Sequence, residues 1–105
     1  MAPNVRLNFN VLIYQEDGWW IAHCLEMDLP AEGETPLDAL KNLLDLVNVH
    51  VEAAMKDGDL GSIFSPAPSS LWGMYAVASD YKLPRNRKRP TTAVKRINVR
   101  ELAHA

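Results

Sequence analysis

Cysteine is nearly missing from this 105-residue chain: Cys24 stands alone, so no disulfide can close within it. A single thiol points to a reducing, cytosolic setting. Long apolar runs are missing too. No stretch approaches the roughly 20 apolar residues of a membrane span, and the opening MAPNVRLNFN holds no run of signal-peptide length. The expectation is a cytoplasmic protein with no membrane partner. Basic residues are scarce in most of the chain. Residues 1–81 hold three (Arg6, Lys41, Lys56) against 12 acidic ones, a balance of −9. Residues 82–105 reverse this, with eight basic residues against Glu101 alone, a balance of +7. An acidic body with a basic tail can self-associate, can meet a basic partner through the body, or can hold a polyanion with the tail. There is no internal repeat and no low-complexity segment.

What is present reads as an α+β domain. Residues 6–15 alternate, with Leu7, Phe9, Val11 and Ile13 on one face and Arg6, Asn8, Asn10 and Leu12 on the other. Glu16-Asp17-Gly18 is a tight turn, and a second strand runs from Trp19 to about Met27. That strand is apolar on both faces. The reading places Ile21, His23 and Leu25 towards a covering helix. Leu29 to Gly33 reads as a short third strand, with Pro30 suiting an edge.

The helix that covers them runs between Thr35 and Gly58. Thr35 is the N-cap, Pro36 suits the first helical position, Asp38 lies at the positive helix end, and Gly58 is the expected residue beyond the C-cap. Its apolar arc spans roughly 200°, wider than one sheet requires. The second helix, expected over residues 69–81 with Leu71, Trp72, Tyr75, Ala76 and Ser79 as its buried stripe, or another subunit, should cover its flank. Residues 82–90 read as a basic linker and residues 93–102 as a last strand. The fold expected is three or four antiparallel strands, one long helix and one shorter one. Residues 1–81 form the body. Residues 82–105 either complete its sheet or exchange with a neighbouring subunit. The surplus apolar surface on the long helix and second strand predicts a homo-oligomer.

The run Glu16-Asp17-Gly18-Trp19-Trp20, followed by Glu32-Gly33-Glu34-Thr35-Pro36-Leu37-Asp38-Ala39-Leu40, resembles the HicB-like antitoxin family. The resemblance covers roughly residues 7–58. Members run hairpin, Gly-x-Thr, then a Glu- and Ala-rich helix. Where many carry Pro-Asp-x-Pro-Gly-Cys, this chain reads Cys24 to Leu29. Many also add a DNA-binding domain. Arg96 to Arg100 resembles a ribbon-helix-helix strand, but no pair of helices follows it. The resemblance implies a partial RNase H-like or double-stranded-RNA-binding-like fold, an inhibitory role and no enzyme activity. It also implies a partner, a small basic ribonuclease of the HicA type, whose active site the antitoxin covers.

Two residue sets are candidates for function. Glu26, Asp28, Glu32 and Glu34 cluster around the third strand and could face a basic partner. Lys82, Arg85, Arg87, Lys88 and Arg89, with Arg96, Asn98 and Arg100 on one strand face, could hold nucleic-acid phosphates. The alternative for both sets is a solvated surface. No cofactor or metal is expected. His23 and Cys24 are adjacent on a strand and point apart, and His50 and His104 add no ligand spacing. The acidic residues sit in one run rather than converging from separate strands, as a two-metal nuclease requires. Trp19, Trp20 and Trp72 read as core or dimer contacts before base-stacking platforms.

Overall fold

A computed structural model describes residues 7–83 and 94–102. The elements are β1 (Leu7–Glu16), β2 (Trp19–Cys24), β3 (Leu29–Gly33), α1 (Pro36–Lys56), a 3-10 turn (Leu60–Ile63), α2 (Ser69–Val77), β4 (Ser79–Asp80) and β5 (Val94–Glu101). They form one sheet in the order β3-β2-β1-β5-β4. The α+β class, the long helix and the shorter helix agree with the sequence. The sheet has five strands rather than three or four, and it is mixed, because β1 and β5 run parallel. Ile97 and Val99 alternate and bury on the α1 side, joined across a register shift by Val94, and alternation is the same for either strand direction.

Asp17 and Gly18 both take positive φ, 52° and 84°, as a two-residue turn matching strand twist requires. This turn fixes the register Glu16↔Trp19, Ile13↔Ala22 and Val11↔Cys24. The face towards α1 is therefore Ala22 and Cys24, both fully buried with Phe9, Val11 and Ile13. The sequence-based placement of Ile21, His23 and Leu25 beneath the helix is corrected: they lie on the opposite face. Small residues under α1 let its Leu40 and Leu43 descend close to the sheet. The second strand also ends at Cys24 rather than near Met27, since residues 25–28 turn.

Burial holds the Cys24 thiol protonated, its pKa pushed up to about 12; the backbone groups of Met27 and Glu26 pull the other way, and Glu26 adds its negative charge. Folded protein should therefore resist iodoacetamide at pH 8 and react stoichiometrically once denatured. The raised value also means that this group's contribution is intact below the unfolded thiol's pKa and is lost as pH climbs towards 12. Rapid alkylation of the native protein would show that β2 opens.

The caps of α1 follow the sequence. Thr35 Oγ1 accepts from the Asp38 N–H at 3.1 Å, and Gly58 beyond the helix end takes φ 68°. Burial does not reach the whole apolar arc. Ala39, Leu40, Leu43, Val47, Val51 and Ala54 are buried, but Leu46 and Val49 are exposed. The expectation that α2 would cover this flank is corrected, because α2 packs on the other face of the sheet over Leu12 and Leu25. Leu12 on β1 and Leu25 just beyond β2 are apolar residues turned away from α1. The chain reaches them along the loop after the 3-10 turn, where Ser65 and Ala67 N–H groups donate to the Glu26 and Leu25 carbonyls.

Candidate functional site

The sheet face opposite α1 is only partly covered. Next to α2 it opens into a cleft of about 530 Å³, lined by Tyr14, Trp19, Ile21, His23, Glu32 and the Glu16-Asp17 turn, among others. Register explains the grouping: Tyr14 lies opposite Ile21 and Leu12 opposite His23 on β1–β2, while Ile21 pairs with Glu32 on β2–β3. All these side chains share the face that α1 does not occupy.

His23 is the one buried polar residue among those described, at 7% exposure. Both ring nitrogens are satisfied. Nε2 lies 2.7 Å from Asp28 Oδ1 and Nδ1 lies 3.1 Å from the Tyr14 hydroxyl. With an ionised carboxylate on Asp28, Nε2 carries the hydrogen. In the neutral ring Nδ1 then accepts from the Tyr14 O–H. Asp28 reaches its position through a left-handed backbone, φ 49°, a conformation that aspartate tolerates better than most residues. Burial raises the Tyr14 pKa above its ordinary value, helped by the negative charges of Glu16 and Asp28. The phenol therefore stays protonated near neutral pH and serves as a hydrogen-bonding group.

Of the predicted acidic set, the cleft collects Glu32 in its lining, with Asp28 behind His23. Glu34 lies in the bend before α1 and does not line it. Glu26 is turned elsewhere. Its carboxylate accepts from the Asn10 backbone N–H at 2.8 Å and from Asn10 Nδ2 at 2.6 Å. Tyr75 then donates to Asn10 Oδ1 at 2.9 Å, tying α2 to the sheet. Glu26 thus has a structural task. Glu16, Asp17, Trp19, Tyr14 and His23 were not in the predicted set, although the hairpin register alone places Tyr14 and His23 on one face.

No protein-family model, curated protein or solved structure matches this chain.

The predicted basic set divides. Arg85, Arg87, Lys88 and Arg89 lie outside the described residues. Lys82 follows β4 and is exposed, as are Arg96 and Asn98 on the α2 side of β5. Asn98 donates to Asn10 Oδ1 at 3.3 Å. Arg100 is engaged within the fold. Its guanidinium stands 4.6 Å from the Tyr75 ring centre and donates to the Tyr75 carbonyl at 3.0 Å. Its 3.6 Å ion pair with exposed Asp80 adds little. Among the described residues, no three His, Cys, Asp or Glu side chains stand together in a way that could hold a metal ion. Nor is any helix among them long and apolar enough to cross a membrane.

Proposed function

We propose that this protein is a HicB-like interaction module that binds a small basic RNA-cleaving protein of the HicA type and covers its catalytic surface. One observation carries the reading. The sheet face left bare by α2 opens into a cleft edged by Glu16, Asp17 and Glu32, with no lysine or arginine lining it among the described residues. The body around it, residues 1–81, holds 12 acidic residues against three basic ones. Such a surface attracts a basic partner from a distance, orients it and repels nucleic acid. The hairpin, short strand and capped helix are the arrangement the family resemblance implies. Exposed Leu46 and Val49 on α1 support self-association as part of the same proposal.

Coexpression with a short basic reading frame flanking the gene tests the reading. A complex should co-elute in size-exclusion chromatography at about 50 mM salt, weaken near 500 mM, and suppress the partner's RNA cleavage. Failure to co-elute even at low salt would sink it.

The second reading is nucleic-acid binding through the C-terminal segment, favoured by Arg96 and Asn98 standing exposed together on β5. Gel retardation with RNA and duplex DNA at two salt concentrations decides it. Absence of any retarded band at the lower concentration counts against it.

A further inference from the structure

We propose that the cleft beside Trp19 receives a single arginine side chain from the protein's basic partner. The inference rests on the partner-binding reading above and names the group that would anchor the complex.

The first support is size and shape. At about 530 Å³ the cleft lies in the range of sites for small ligands, about 300–1,000 Å³. It is large enough to take one long side chain. The second support is the balance of donors and acceptors. Glu16, Asp17 and Glu32 offer carboxylates, which only accept when ionised. Both nitrogens of His23 are already engaged, one by Asp28 and the other by the Tyr14 hydroxyl. Three carboxylates in one lining favour a ligand that brings donors and positive charge. The third support is Trp19, which is 45% exposed at the cleft wall. An indole left that exposed puts an aromatic surface within reach of a bound cation.

A guanidinium answers all three demands. It carries five donors and no acceptor, it is planar and stacks on aromatic faces, and it sheds water more readily than an ammonium. A lysine ammonium meets the charge but not the plane. The floor of the cleft is already fixed, because Asp28 holds His23 and His23 holds Tyr14, so that part of the site is ordered before the ligand arrives.

The test is an NMR titration of the isolated protein with N-acetyl-arginine amide, N-acetyl-lysine amide and N-acetyl-citrulline amide. The Trp19 indole N–H is assigned with Trp19→Phe. Arginine amide should give saturable shifts confined to Trp19, Tyr14, Ile21 and His23, with affinity in the millimolar range. Lysine amide should bind at least ~3-fold more weakly, and uncharged citrulline amide should leave the spectrum unchanged. Glu32→Gln, which keeps the side chain's shape, should weaken arginine by about 3-fold or more without altering the remaining spectrum. Equal binding of lysine amide overturns the arginine assignment. Shifts that never saturate, or that spread over the surface, overturn the site itself. Either result leaves the partner reading standing, since that reading fails only if the basic protein does not bind.

Discussion

Replacing Gly33 with alanine should lower the melting temperature by more than about 12 °C, or abolish folding. A methyl group at this position would stand 2.3 Å from the Ala39 nitrogen, 2.7 Å from the Asp38 carbonyl carbon and 2.8 Å from the Ala39 Cα. All three are backbone atoms in the first turns of α1, so no side chain can rotate away. Relief requires lifting the helix from β3, which would open the contacts of Leu40 and Leu43 with the sheet. A forced shift of that kind costs at least ~3 kcal/mol. In a domain of this size each kcal/mol moves the midpoint by about 4–8 °C. Circular-dichroism melts of the two proteins measure the difference. A change under about 5 °C would mean that α1 does not sit so close to β3.

The second large effect is expected at Phe9. Its ring is 1% exposed on the central strand, among Leu7, Val11, Ile97 and Val99. It also meets the Phe64 ring with centroids 6.4 Å apart. Phe9→Ala should cost about 3–5 kcal/mol, read as a fall in urea midpoint at constant slope. Phe64, 44% exposed, loses its ring partner in the variant. The loop after the 3-10 turn should then become more sensitive to limited proteolysis than α2. A loss below about 1 kcal/mol would indicate a core that collapses around the missing ring.

Much of this fold is legible in the sequence because its signals are local. Asp17-Gly18 sets the hairpin, Thr35 and Pro36 open α1, and Gly58 closes it. The face of β2 differs from what hydrophobicity alone predicts, and the same turn holds the reason. A two-residue loop at positions 17 and 18 pairs Ile13 with Ala22 and Val11 with Cys24. Hydrophobicity favoured the bulkier Ile21 and Leu25 for the helix side, whereas packing α1 close to the sheet required the smaller residues. The wide apolar arc of α1 suggested that α2 would pack against it. The stronger demand came from Leu12 and Leu25, which needed cover on the opposite face. The parallel direction of β5 leaves no mark in its own residues, because alternation is blind to direction. The cleft was legible only in part. Asp28 and Glu32 were recognised as acidic surface, but the contact of Asp28 with His23 depends on a left-handed turn that composition does not reveal.

The pairing of β1 with β5 gives the ribosome-bound chain an order of events. Leu7 lies opposite Val94, so β1 emerges early and waits for residues near the end of the described chain. At ordinary synthesis rates that wait lasts roughly 4–20 s. Throughout it, one side of β1 lacks its strand partner and relies on the acidic surroundings for solubility. The cleft is drawn from residues 14–32, so every described residue that lines it leaves the ribosome before β5 does.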